Sequence, residues 1–195
     1  MHYDIIIIGG GAAGLMAAYG AGTASKERPS VLVLEKMPRP GRKIMITGKG
    51  RCNFTNVKGW SDFSSHVRSN SNVLRPAFYS LPPDALIDFF NANGMESVVE
   101  RGDRAFPVSH RSMDVVDALY SAARNAGARV MTDAEVTGVH MEEEFGNRIF
   151  AVETADGQSY SSCRLIIATG GLSYPNTGST GDGYTFAKSL GHSIK

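Results

Sequence analysis

YDIIIIGGGAAG, running from Tyr3 to Gly14, opens the chain as a strand, a tight turn and the start of a helix. The isoleucines Ile5 to Ile8 make the continuous apolar run of a buried parallel strand; it stops at Gly9, beyond which an Ala-rich helical pattern begins. Gly9, Gly11 and Gly14 stand at the G-x-G-x-x-G spacing. In that pattern the first glycine permits the turn, the second lets a pyrophosphate approach the backbone, and the third lets the helix pack on the strand. The helix N-terminus adds free N–H groups and a partial positive charge for phosphates. Glycine-rich turns also serve plain strand-to-helix packing, but the strand before this one and the helix after it favour a dinucleotide site.

The helix is expected from Ala12 to about Ala24, and Val31 to Leu34 make a second buried strand ending at Glu35. Glu35 lies 21 positions after Gly14, close to the interval of about 20 at which an acidic residue takes a ribose 2′-OH and repels a 2′-phosphate. The alternative is an ordinary charged strand end. From Lys36 to Val57 the chain is basic and broken by Gly41, Gly48, Gly50, Pro38 and Pro40, which predicts a long functional loop. Its cations Lys36, Arg42, Lys43 and Arg51 suit a pyrophosphate or the electron-rich edge of a reduced flavin. They equally suit a solvated loop, and both readings stay open on the residues alone.

Residues 60 to 95 read as amphipathic helices that pack, with Pro82 and Pro83 opening one and Gly94 stopping it. Strand-like VVE and AFPV segments follow, then a helix from Ser112 to Ala126. ARVMT, EVTGVHME and RIFAVET read as strands, and Asp156-Gly157 as a hairpin turn into QSYSS. This is a β-meander between two Rossmann-type strands, and the backbone of Val136 is placed to face an adenine edge. A separate buried strand is expected over Cys163 to Ala168, ending in Thr169-Gly170-Gly171. Thr180-Gly181-Asp182-Gly183 then leads into a helix from about Tyr184 to Leu190. The predicted fold class is therefore α/β: a Rossmann-like parallel sheet with helices and a meander on one side.

The composition narrows the function. With 195 residues the chain suits one large domain or two small ones, and its 42% hydrophobic and 20% charged residues are ordinary for a globular protein. A formal net charge of +1 leaves no electrostatic footprint for nucleic acid. The apolar opening lacks a basic n-region and carries Asp4, so neither a signal peptide nor a membrane span is expected, and the protein reads as cytoplasmic. Cys52 and Cys163 form no C-x-x-C pair, and the five histidines lack metal-ligand spacing. Neither a redox dithiol nor a metal site is expected.

With these segments in place the chain resembles the bacterial BaiN-like flavoproteins, the NAD(P)/FAD-dependent or aminoacetone oxidase family. That family is itself similar to the flavoprotein subunits of fumarate reductase and succinate dehydrogenase. The resemblance runs over essentially the whole chain, through YDIIIIGGGAAGLMAA, VLEK, GRKIMITGKGRCNFTN, AFPVS with DVVDAL, ATGGLSYPNTGSTGDGY and A-x-x-L-G-H. It implies FAD bound in an extended pose. Gly9, Gly11, Ala13 and Gly14 would hold the pyrophosphate, Glu35 the adenosine ribose and the Val136 backbone the adenine. Arg42, Lys43, Thr47, Gly48 and Asn53 would run along the pyrophosphate and flavin, with Thr169, Gly170, Gly171 and Asp182 completing the site. Family members continue past the G-H into a substrate-capping domain and a return segment. Residues 1–195 are accordingly expected to be the FAD-binding domain without those parts.

The expected activity is an FAD-dependent oxidoreductase passing hydride between NAD(P)H, flavin and a small organic substrate, with no nucleic-acid or membrane partner. The alternatives are a non-catalytic FAD-binding module that needs a partner half and, less favoured, a plain NAD-binding dehydrogenase. No general acid or base is assigned. Cys52 is a candidate flavin neighbour set against the reading of a small buried apolar residue, and Tyr174 and Asp182 are weaker suggestions for proton handling.

Overall fold

A computed structural model describes residues 1–24, 26–144 and 146–194. In chain order the elements are β1 (His2–Ile8), α1 (Ala12–Thr23), β2 (Val31–Leu34), α2 (Arg42–Ile46), β3 (Thr55–Asn56), α3 (Trp60–Ser65), α4 (Arg75–Ser80) and α5 (Pro83–Ala92). They continue with β4 (Ser97–Glu100), β5 (Arg104–Pro107), α6 (Ser112–Asn125), β6 (Arg129–Met131), β7 (Val136–Glu144), β8 (Asn147–Thr154), β9 (Ser159–Ile167) and α7 (Asp182–Ser189). The chain divides into two compact units, one of residues 1–44 and 119–195 and the other of residues 45–118.

The first unit is built on a six-stranded sheet in the order β6-β2-β1-β9-β8-β7. β6, β2, β1 and β9 run parallel, and β8 and β7 turn back antiparallel from β9. The isoleucine run is the centre: Ile6 and Ile7 are wholly buried, and Ile5 to Ile8 pair in register with Val31 to Leu34 on one side. On the other side they pair with β9, Ile8 opposite Ile167. Burial on both faces explains the unbroken apolar sequence. One face carries Ile6, Ile8, Leu32 and Leu34 into a cluster with Val136, Val139, Val152 and Tyr160 of the meander strands and Phe186 of α7. On the opposite face Ile7 approaches α1, whose buried residues are Gly14, Leu15, Ala18 and Gly22.

α1 succeeds by smallness. A Cβ on Gly14 would overlap the Gly9 carbonyl oxygen, and one on Gly22 would overlap the carbonyl of Ala126. Two expectations change. QSYSS and CRLII form one strand, β9, because Ser159 to Ser162 continue the antiparallel ladder with β8 while Ser161 to Ile167 pair with β1. Leu165 to Ile167 in that strand are half-buried and Cys163 is exposed, so the second apolar strand is not a buried one. The basic stretch after Lys36 is also more ordered than a loop. It contains α2, a 3₁₀ turn at Thr47–Gly50 and the short strand β3. Gly41, at φ +70, donates its N–H to the Gly10 carbonyl at 2.9 Å, which starts α2 beside the glycine turn.

The second unit carries the three-stranded antiparallel sheet β3-β5-β4. Phe54 and Phe90 meet edge to face at 4.7 Å, so α5 closes on this sheet, and Ala105 and Phe106 of β5 are buried. Trp60 and Phe63 of α3 stack with Phe78 and Tyr79 of α4. Among the described residues no helix is long and apolar enough to cross a membrane.

The glycines of α1 separate by function under substitution. Gly14→Ala must displace the Gly9 carbonyl and is expected to lower unfolding free energy by about 1–3 kcal/mol. Gly20→Ala, with nothing within 4 Å of the added carbon, is expected to raise it by about 0.5–1 kcal/mol. Urea unfolding of the two variants and the parent reads both signs.

Candidate functional site

In the first unit the strand order reverses direction at β1: β2 and β6 lie to one side and β9 to the other. The crevice beyond the carboxyl ends of strands at such a switch point is where open α/β sheets bind ligands. Gly9 occupies it at φ +106, its N–H donating to the Leu34 carbonyl at 2.8 Å. A Cβ there would crowd the Ala168 carbonyl at the end of β9. Gly11 is the N-cap of α1, with no side-chain cap and no acidic residue in the first turn, and nothing lies within 4 Å of the Cβ it lacks. The amides of an α-helix first turn have no intrahelical partner, so the open space at Gly11 faces a set of donors. Ala13 is exposed on that same first turn.

Glu35 is buried at 9% exposure and doubly held. Its Oε2 accepts the Gly10 N–H at 2.7 Å and its Oε1 the Met37 N–H at 2.8 Å. The carboxylate thus ties the end of β2 to the glycine turn, and each oxygen retains a lone pair for a further donor. The Ala134 N–H bonds to the Glu35 carbonyl at 3.0 Å, which brings the chain just before β7 to the end of β2; Val136, the first residue of edge strand β7, pairs with Thr154 at the end of β8.

The cations divide into spent and unspent. Lys36 pairs with Asp182 at 2.6 Å and reaches the Thr180 hydroxyl at 2.5 Å, while Thr180 donates to the other Asp182 oxygen at 2.8 Å. Burial pushes the Asp182 carboxyl up, but the hydrogen bonds from Lys36 and Thr180 and the Lys36 charge outweigh it and hold the group below the usual carboxylate range. Arg42 and Lys43 meet no carboxylate among the described residues; Lys43 donates to the Ser173 hydroxyl at 3.2 Å. They follow Gly41, which is pinned to the glycine turn, so their charge sits at the ligand end of the sheet. Gly170, at φ +77, packs against the Ser179 hydroxyl, and a Cβ on Gly183 would overlap Thr169 Oγ1. Gly171 lies beside the Tyr184 hydroxyl. Thr169, Gly170, Gly171 and Asp182 therefore come together where β9 meets α7.

Thr47, Gly48, Arg51 and Asn53 belong to the second unit. Arg51 is engaged there: it donates to Glu100 through Nη2, contacts His110 Nδ1 at 2.7 Å and lies 4.3 Å from the centre of the Phe106 ring. The Asn53 amide bridges the carbonyls of Thr55 and Ala105, bracing β3 against β5. Cys52 is 4% exposed; burial pushes its thiol pKa up and a hydrogen bond with Thr47 pulls it part of the way back. It is a buried thiol, as the plainer reading of the sequence has it. Tyr174 is exposed at φ +54. A cleft of about 590 Å³ opens in this unit, lined by Gly48, Lys49, Arg51, Asn53, Arg104 and Phe106. Lys49, Arg104 and Phe106 were not among the site residues expected from the sequence, where Phe106 read only as part of the AFPV strand and Arg104 lay just before it. Among the described residues no cluster of three His, Cys, Asp or Glu side chains could hold a metal ion.

The chain matches the HI0933-like protein Rossmann domain over residues 3–195 and belongs to that family. It is 31% identical to a 3-dehydro-bile acid delta(4,6)-reductase of Clostridium scindens over 188 residues, 96% of this chain and 44% of that protein. It is 30% identical to the ribosomal RNA dihydrouridine synthase of Escherichia coli over 193 residues, 99% of this chain and 46% of that protein. The chain thus spans less than half the length of these relatives. A flavocytochrome c3 fumarate reductase in its open conformation shares the fold, with a TM-score of 0.63, 20% identity, and coverage of 98% of this chain and 41% of that one.

The Lys36–Asp182 pair carries a pH signature. Because the folded pKa of Asp182 is depressed, its stabilisation is complete above the unfolded value near 3.8 and is lost as pH falls through the folded pKa. Asp182→Asn is expected to cost about 0.5–1 kcal/mol at pH 7, as a partly exposed ion pair does. That gap between variant and parent should narrow below about pH 4, which denaturant unfolding at a series of pH values measures.

Proposed function

We propose that this member of the HI0933-like family is the FAD-binding portion of a flavin-dependent oxidoreductase. The observation that carries the reading is the open space at Gly11, over an uncapped helix N-terminus, with Glu35 held at the end of the neighbouring strand. That is a cradle which a side chain would fill, with donors for a pyrophosphate and a carboxylate for a ribose, and the residues fit the group. Arg42 and Lys43 supply positive charge for the phosphates. Gly14 holds the helix close enough to the strand for its N-terminus to point at them. The residues Thr169, Gly170, Gly171 and Asp182, clasped by Lys36, shape the other side of the same strand ends. For Thr47, Gly48, Arg51 and Asn53 the assignment rests on the family resemblance.

FAD when bound would supply the hydride chemistry, with NAD(P)H as the proposed donor and an organic molecule as acceptor. The protein's part is binding, orientation and electrostatics. Its relatives are consistent with this: the Clostridium scindens protein is a reductase and the Escherichia coli protein a dihydrouridine synthase. The Glu35 carboxylate disfavours a cofactor carrying a 2′-phosphate in this cradle, because two anions would share one buried site. A separate nicotinamide donor meets no such restriction.

Purified chain is expected to be yellow and to release FAD on denaturation in a ratio near one to one. Gly11→Val should abolish FAD loading while leaving the circular dichroism and thermal midpoint close to those of the parent. Stoichiometric FAD in that variant, or a folded parent chain that takes NAD but no FAD, would remove this reading.

A further inference from the structure

We propose that Cys163 and His2 form a reactive thiol site in the first unit, one that attacks a small disulfide and is capped by it as a mixed disulfide. The site goes beyond the oxidoreductase reading above and does not depend on it. Cys163 is exposed on β9, an interior strand of the sheet, whereas Cys52 is buried. A free cysteine behaves as a small apolar residue and is usually buried, so an exposed one in that position is unusual. Its sulfur meets an imidazole: His2 Nε2 lies 3.6 Å from Cys163 Sγ. The other ring nitrogen, His2 Nδ1, lies 3.1 Å from the Ser161 hydroxyl. In the tautomer whose Nδ1–H donates to Ser161, Nε2 turns its lone pair to the thiol. A nucleophile, a base within reach of its proton and a third group orienting the base are the parts of an activated nucleophile.

The sheet register holds these parts together. His2 pairs with Ser161 across the parallel ladder, and the Ser161 N–H donates to the Met1 carbonyl at 2.9 Å. Tyr3 pairs with Ser162 and Ile5 with Arg164, which sets Asp4 opposite Cys163. The neighbouring charges have other partners. Asp4 Oδ2 accepts the Ser30 hydroxyl and N–H, both at 2.7 Å. Those two bonds, with smaller help from the His2 and Arg164 charges, outweigh burial and hold the Asp4 carboxyl below its usual range. The Met1 ammonium donates to the Ser159 carbonyl at 3.3 Å. The imidazole is therefore the base beside the thiol. β1 rises about 3.3 Å per residue, so His2 stands roughly 20 Å from the glycine turn at the strand's other end. In the reaction the imidazole takes the thiol proton and the thiolate attacks one sulfur of the disulfide RSSR. Its S–S bond breaks as the new one forms, and the departing RS⁻ takes the proton from the imidazolium. Cys163 is oxidised to the mixed disulfide, the departing sulfur is reduced to RSH, and the imidazole returns to its neutral form.

Oxidised glutathione, offered in excess to the full chain, tests the site: intact mass follows the rate of capping and peptide mapping its position. One glutathione half is expected on Cys163, removable by dithiothreitol, while Cys52 stays free in the folded chain. The rate in the parent should rise with pH in two limbs, one through the histidine range at about pH 6.5 and one through the thiol range at about pH 8.5. His2→Gln should lose the lower limb and react about tenfold more slowly at pH 7, with an unchanged thermal midpoint. Ser161→Ala should slow the reaction by a smaller factor, because it removes the group that orients the base. Equal rates in the parent and in His2→Gln from about pH 6 to 8, or capping of Cys52 as fast as Cys163, would overturn the proposal. A chain that takes no FAD but shows the two-limbed profile loses the cofactor reading and keeps the thiol site, so the two fail separately.

Discussion

The approach of backbone to backbone at the glycine turn is the constraint on which the first unit depends. Gly14 packs its α-carbon against the Gly9 carbonyl, and Gly9 packs against the Ala168 carbonyl at the end of β9. Neither position has room for a methyl group. The first contact lays α1 on the sheet, and the second holds the carboxyl ends of β1 and β9 together at the switch point. Gly11, between them, has nothing within 4 Å of the place a Cβ would take. The glycines of one motif thus meet opposite demands, two of them filled by protein and one left open over the helix N-terminus.

Charge is arranged around this turn with similar economy. Glu35 is buried, yet it is satisfied by two backbone amides, one from the turn and one from the segment after β2. A carboxylate so held serves as a brace, because it connects two strand ends through hydrogen bonds strengthened by its charge. Lys36, the next residue, is taken up by Asp182 and Thr180, which joins β2 to the start of α7. Arg42 and Lys43, in the same basic stretch, meet no carboxylate among the described residues. The pattern separates cations that join distant elements of the scaffold from cations that do not.

Much of this was legible in the residues. The isoleucine run and the glycine spacing determine a buried strand, a turn and a helix, because local sterics and burial leave few alternatives. The same holds for Val31 to Leu34, for the amphipathic helix from Ser112 and for the Asp156-Gly157 turn, each of which carries its signal within a few residues. Reading failed where structure is decided by a distant partner. Ser159 to Ile167 looks like two strands in sequence, since its polar half and its apolar half differ in character; it is one strand because β8 and β1 both pair with it. The stretch from Lys36 to Val57 looks like a loop because glycine and proline punctuate it. Its helix and its short strand form because Gly41 is bonded to Gly10, and Phe54 to Ala105 far along the chain.

By itself, then, the sequence determined the Rossmann unit, the position of the turn and the identity of the acidic residue across from it, because each depends on local conformation or on periodicity. Tertiary structure alone decided which charges are spent. Lys36 and Arg51 are indistinguishable from Arg42 and Lys49 in a basic stretch, and only the arrival of Asp182 and Glu100 from 146 and 49 residues away separates them. It also decided that Gly11 is open while Gly14 is closed. Space around a missing side chain is a property of neighbours, and a sequence names no neighbours beyond its own order.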